Sequence, residues 1–118
     1  MPARSRSART AAAAVSGSAP VFAALGDRTR LRLVARLGAE GPLSIARLTD
    51  GLDVTRQAVA KHLHVLEDAR LARGVRQGRE QRWELQSEPL EEARRSLESI
   101  ARRWDEALLR LKAAVEDD

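Results

Sequence analysis

A chain of 118 residues is long enough for one domain around one modest core. It contains no cysteine, which excludes disulfides, thiolate metal sites and cysteine nucleophiles. The net charge of +4 is unevenly spread: residues 84–118 carry ten acids against six bases, while every earlier stretch has bases in surplus, so the first two thirds suit a polyanionic partner and the tail suits another task.

Residues 1–19 are arginine, serine and alanine with no acid and no apolar period, and they read as a disordered basic tail. The apolar Ala13-Ala-Val15 is broken by Ser16-Gly17-Ser18, too short for a signal peptide. No apolar run approaches the roughly 20 residues of a membrane span, so a cytoplasmic protein without membrane contact is expected.

Pro20 to Leu37 reads as a helix, because Phe22, Leu25, Leu31, Val34 and Leu37 fall on one face of a 3.6-residue repeat. Gly26-Asp27 is a point where it kinks or recaps, and Gly38 and Gly41-Pro42 end it. A short helix follows over Ser44–Asp50, with Ser44 as N-cap, Ile45 and Leu48 apolar, and Gly51 as the stop. Thr55 then caps a helix to about Ala69 with Val59, Leu63 and Leu66 inward. Two such helices joined by a tight turn make a helix-turn-helix. Residues 71–76 and 81–85 read as a hairpin around Gly78, with Val75, Trp83 and Leu85 as its inward side chains. Glu88-Pro89 opens the last helix. Along it Leu97, Ala101, Trp104, Leu108, Leu111 and Val115 recur at steps of four and three, a heptad seam. A helix over 90–115 spans about 39 Å at 1.5 Å per residue. One small core cannot cover that length, and a second copy of the chain can.

The two histidines, His62 and His64, invite a metal or catalytic reading. They lie two apart on a helix, about 200° around the axis, whereas chelation from one helix needs a spacing of three or four. No other histidine exists, and nothing marks a nucleophile or a phosphate cradle, so no metal, cofactor or catalytic residue is expected. The helical wheel gives another reading. With Val59, Leu63 and Leu66 inward, Arg56, Gln57, Ala60, Lys61 and His64 face outward, with Ala58 at the margin. Arginine and glutamine match guanine and adenine edges in the major groove, and small Ala60 allows close approach. Thr55 and Lys61 suit phosphates. Arg76, Arg79 and Arg82 on the hairpin suit phosphates or an adjacent minor groove.

The stretch from Phe22 to Leu37, FAALGDRTRLRLVARL, then Val54 to Leu66, VTRQAVAKHLHVL, then Gly78-Arg79-Glu80, resembles the ArsR-type family of bacterial winged helix-turn-helix repressors over about residues 20–115. The tail is similar to the branch often encoded beside small START or polyketide-cyclase-like proteins. The resemblance implies a homodimer that sits on an operator and blocks transcription, and it adds His62 to the DNA-facing set of Thr55, Arg56, Gln57, Ala58 and Lys61. By position His62 is as much a packing or phosphate residue as a base reader. Metal-sensing members carry a Cys-x-Cys motif before the recognition helix, or Asp and His ligands on the last helix. This chain has Ser44 to Asp50 and a histidine-free 90–115 there. Arg28 stands where the family usually has proline, and Arg70 where it usually has glycine.

The expectation is a mainly α (α+β) winged helix-turn-helix fold. An N-terminal helix, a helix-turn-helix and a two-stranded wing occupy residues 20–87. A long dimerisation helix over 88–118 belongs to the same compact unit. The partners expected are double-stranded operator DNA and a second copy, joined through Phe22, Leu97, Ala101, Trp104, Leu108, Leu111 and Val115. No inducer is named by the residues. A non-specific architectural DNA binder, or a protein-interaction module using the last helix, stay open as alternatives.

Overall fold

The computed structural model describes residues 15–117. Of the basic tail expected over 1–19, residues 1–14 lie outside the described part. Residues 15–17 are already helical, and Ser18 is buried where its backbone turns into the first named helix, so the fold begins before Pro20.

Helix α1 covers Ala19–Leu25 and α2 covers Arg28–Glu40. The helix expected from 20 to 37 is therefore two. Asp27 adopts an extended backbone and its carboxylate accepts from the Arg30 amide at 3.0 Å, capping α2 afresh. Gly38 does not end α2. A side chain there would meet Leu85 Cδ2 at 3.4 Å, so this glycine allows the hairpin to lie close against the helix. The stop is Gly41, whose φ of 81° a residue with a side chain seldom adopts.

Helix α3 spans Ile45–Thr49 and α4 spans Arg56–Asp68. Both expected caps are in place: Ser44 Oγ accepts from the Arg47 amide and Thr55 Oγ1 from the Ala58 amide. Five residues make a marginal helix, and α3 is held from outside. Arg36 of α2 donates to the carbonyls of Arg47, Leu48 and Asp50 at 2.8–3.2 Å, while its Nε pairs with Glu40. One guanidinium thus adds donors to carbonyls at the end of α3, of which the Arg47 carbonyl also takes the Asp50 amide at 3.3 Å.

Strands β1 (Ala72–Gln77) and β2 (Glu80–Leu85) form the antiparallel hairpin, turning at Gly78. Backbone bonds both ways between Leu43 and Trp83 add a single bridging residue, and the Gln86 amide closes the base on the Leu71 carbonyl. Opposed residues share a face of the sheet. Ala72, Gly74 and Arg76 therefore lie with Leu85, Trp83 and Gln81, and Arg73, Val75 and Gln77 lie with Glu84, Arg82 and Glu80. Trp83 is buried and Leu85 packs against the core, as expected, but Val75 is on the opposite face beside Arg82. The inward position on β1 is Gly74, opposite Trp83, and having no side chain it leaves that position unmarked in the sequence.

The core is built from Leu33, Leu37, Leu48, Val59, Leu63, Leu66, Leu71 and Trp83, contributed by α2, α3, α4 and the hairpin. Helix α5 then runs from Ser87 to Glu116. Only Ala93 and Ser96 of it are buried, and every described residue beyond Ile100 is exposed. Pairs of Arg94 with Glu91 and Glu98, one turn apart on the helix surface, add modest support.

The end of α4 bears a backbone cost. The Leu71 amide reaches the Leu66 carbonyl and the Arg70 amide the Glu67 carbonyl, the paired bonds of a Schellman turn. Its left-handed position is held by Arg70 at φ 64°, where a Cβ is disfavoured by roughly 1–2 kcal/mol. Glycine's greater freedom in the unfolded chain offsets part of that. Arg70→Gly is expected to raise stability by about 0.5–1 kcal/mol. A urea midpoint that stays put or falls would show that the Arg70 side chain contributes more than its backbone costs.

Candidate nucleic-acid interface

The geometry of α4 follows from its buried seam. Val59, Leu63 and Leu66 are 0% exposed. Burying such side chains is favourable by about 1.5–3 kcal/mol each relative to leaving them in water. That stripe decides which side of the helix faces the core and turns Gln57 and Lys61 to solvent, while Arg56, in line with Leu63, is exposed because it stands in the first turn at the end of the stripe. Thr55 is exposed at the cap, and Ala58 and Ala60 are half-buried on either shoulder. The sequence-expected outward set is thus brought together on one surface, with two exceptions.

His62 is one. It lies on the flank facing α2, half-buried, with Nδ1 3.2 Å from Arg30 Nη1 and 3.9 Å from Asp27 Oδ2. It supports the helix from behind, as the wheel had allowed, and does not share the outer face with Gln57 and Lys61. His64 is the other. It is exposed, but its ring stands edge-on to Trp83, centroids 5.7 Å apart and planes at 85°, and its Nδ1 lies 3.4 Å from Glu67. It marks the joint between α4 and the hairpin.

The hairpin arginines also separate. Arg79 is in the exposed turn. Arg76 and Arg82 lie on opposite faces of the sheet, and Arg82 is paired with Glu80 at 3.2 Å. Arg73, not singled out from the sequence, pairs with Glu84 across the strands. Outward positive charge on the hairpin is therefore concentrated at its tip.

Sequence reasoning missed the polar cluster behind α4. Arg30 donates from Nε to the Ala24 carbonyl at 2.6 Å and from Nη1 to His62, while its amide is bound by Asp27. Arg30 and His62 are 32 residues apart in the chain, and no periodicity links them. The Asp27 carboxyl is held below the usual carboxylate range, chiefly by the Arg30 amide and further by the charges of His62 and Arg30, against a partial desolvation. Among the described residues there is no group of three or more His, Asp or Glu placed to hold a metal ion.

A helix set in a turn, capped at its start, presenting arginine, glutamine and lysine beside a basic-tipped hairpin, defines a winged helix-turn-helix DNA-binding transcriptional regulator. Comparison with known proteins agrees. Residues 25–75 match a family model described as a helix-turn-helix domain. The chain is 41% identical over 76 residues to the HTH-type transcriptional regulator YuzN of Bacillus subtilis (strain 168), covering 59% of this chain and 83% of that one. It is 52% identical over 48 residues to the HTH-type transcriptional regulator Rv2034 of Mycobacterium tuberculosis (strain ATCC 25618 / H37Rv), covering 41% and 44%. An ArsR-like transcriptional regulator from Rhodococcus sp. RHA1 superposes with a TM-score of 0.71 at 39% identity, over 83% of this chain and 92% of that one. The chain belongs to the ArsR-like family of helix-turn-helix transcriptional regulators, whose members bind DNA and are not enzymes. No helix among the described residues is long and apolar enough to cross a membrane.

The Asp27 cap has a pH consequence. Because its folded pKa is lowered, the unfolded chain binds the proton more readily. The stability it contributes is complete above the ordinary carboxylate value and is lost as pH falls through the folded one. Asp27→Asn keeps a capping oxygen without the charge. Denaturation midpoints at about pH 6 and about pH 3 are expected to fall less for Asp27→Asn than for the parent. An equal fall in both would remove Asp27 from the acid response.

Proposed function

We propose that the protein is a homodimeric repressor that binds an inverted-repeat operator, with α4 in the major groove and the wing tip on the flanking backbone. The observation that carries this is that Gln57 and Lys61 are exposed on the side of α4 away from a fully buried seam, with Arg56 exposed at its first turn. Gln57 and Arg56 supply the paired donors and acceptors that distinguish base edges, with Thr55, Ala58 and Ala60 lining the approach. Lys61, Arg79 and Arg76, with Arg82 once it exchanges Glu80 for a phosphate, neutralise the backbone and make binding salt-dependent. His62 supports the pose, and His64 steadies the joint to the wing.

The dimer rests on α5. Leu97, Trp104, Leu108, Leu111 and Val115 are each more than half exposed, at heptad spacing, beyond anything their own chain covers. Exposed large apolar stripes of that kind are sites of association. Pairing two α5 helices antiparallel about residue 106 would set Leu97 against Val115, Ala101 against Leu111 and Trp104 against Leu108 of the second copy. It would also bring Glu98 near Lys112 across the pair. Phe22 is half-buried on α1, which packs on α5, so its share of that interface is what its own core leaves uncovered. Two-fold symmetry then presents two α4 helices to grooves one turn apart, about 34 Å.

Gln57→Ala is expected to erode preference for the operator over a scrambled duplex, with each lost base contact weighing about 1–3 kcal/mol. Arg79→Ala is expected to weaken both duplexes alike and to flatten the salt dependence. Titrations of each variant on both duplexes at two salt concentrations measure this. Equal losses on the two duplexes from Gln57→Ala would indicate an architectural binder with no sequence preference. Trp104→Asp is expected to give monomers with much poorer operator binding. An intact dimer in sedimentation would place the interface elsewhere, and a different chain co-purifying on α5 would favour an interaction module.

A further inference from the structure

We propose that Arg30 is a positioning residue for sequence recognition: through the imidazole of His62 it sets the roll of α4 about its own axis relative to α1 and α5. This rests on the reading above that the outer face of α4 reads bases.

Arg30 joins three elements with one side chain. Its Nε donates at 2.6 Å to the Ala24 carbonyl, in the last turn of α1, where carbonyls have no helical donor. Its Nη1 lies 3.2 Å from His62 Nδ1, in the middle of α4. Its own amide is bound at 3.0 Å by Asp27 Oδ2, which fixes the first turn of α2 from which the side chain springs. A guanidinium can only donate, so Nδ1 is the accepting side of this contact. Asp27 Oδ2, at 3.9 Å from the same nitrogen, completes a cluster drawn from the α1–α2 junction and α4. Helix α1 in turn packs on α5. A continuous set of contacts therefore runs from the long helix, through α1 and Arg30, to the flank of α4.

The location of that contact gives it leverage. The seam of Val59, Leu63 and Leu66 anchors α4 along its inner line, but a line of apolar contacts resists roll weakly. His62 sits off that line, on the flank, where a directional hydrogen bond resists roll best. A side-chain tip about 5–6 Å from a helix axis moves about 2 Å for a 20° roll. Hydrogen bonds to base edges tolerate only a few tenths of an ångström. Long, mobile lysine and arginine side chains follow a phosphate through the same displacement. Loss of the tie should therefore cost specificity and leave non-specific affinity almost intact. A residue that merely stabilised the fold would lower both through the folded fraction.

The test uses the full chain and a duplex enriched by the wild-type protein from a random pool, beside a scrambled duplex. Arg30→Met removes the donors and keeps the length. His62→Phe keeps a ring and removes the acceptor. His62→Asn keeps an acceptor oxygen near the place of Nδ1. Arg30→Met and His62→Phe are each expected to weaken binding to the enriched duplex about tenfold, with scrambled binding within about twofold of wild type; the double variant should be no worse than either single, and His62→Asn should recover most of the loss. If Arg30→Met does not fold, the contrast between His62→Phe and His62→Asn decides alone. Variants that match wild type, losses equal on both duplexes, or an Asn variant no better than the Phe variant would each overturn the proposal. A wild-type protein that enriches no sequence would instead overturn the base-reading role of α4, and this proposal with it.

Discussion

The outward polar face of α4 depends on the burial of one narrow stripe on the same helix. Val59, Leu63 and Leu66 are fully enclosed by α2, α3 and the hairpin, and their removal from water outweighs any other contact the helix makes. With that stripe inside, Gln57 and Lys61 have nowhere to go but out, and Arg56 is exposed at the first turn, where the stripe has not yet begun. That face is thus a by-product of packing: its polar residues need no contact of their own to keep them in solvent, and they stay free to meet a ligand.

Around that stripe the arginines divide into two kinds. Arg36 ties α2 to the end of α3, Arg30 ties it to α1 and α4, and Arg73 locks the two strands together. These are structural cations, each spent on carbonyls, an imidazole or a carboxylate. Arg56, Lys61 and Arg79 are the outward kind. The surplus of positive charge in residues 1–83 therefore overstates the charge available to a polyanion, because a good part of it is used internally. The same division explains why a five-residue helix such as α3 can hold its place in a turn: its carbonyl end is finished by a side chain from a neighbouring helix.

The long helix stands apart. Its first half covers α1 and the core, and its second half carries an apolar stripe that its own chain leaves in water. An apolar-striped helix and a helix with a polar outer face give the protein two distinct surfaces, which the proposed reading uses for association and for DNA. Helix α1 packs on the long helix, and Arg30 ties the end of α1 to the flank of α4.

Much of this was legible before any coordinates. The caps at Ser44 and Thr55, the inward Val59, Leu63 and Leu66, the turn at Gly78 and the exposed heptad seam each follow from a local rule: a side-chain oxygen beside free amides, a 3.6-residue repeat, a glycine where φ is positive. The order of elements and the outward identity of Arg56, Gln57 and Lys61 came with them. Other features were decided only in three dimensions. Gly38 reads as a stop and is a clearance for Leu85; Val75 reads as inward and lies outward because Gly74 takes its place; the helix expected over 20–37 divides where Asp27 finds amides to cap. His62 joins Arg30 and Asp27 although more than thirty residues separate them. Local sequence determines which backbone a segment prefers and which of its sides is apolar, because those energies arise between near neighbours. Which distant polar groups meet, and which glycine makes room for whom, depends on how the finished elements stack, and only the folded chain settles that.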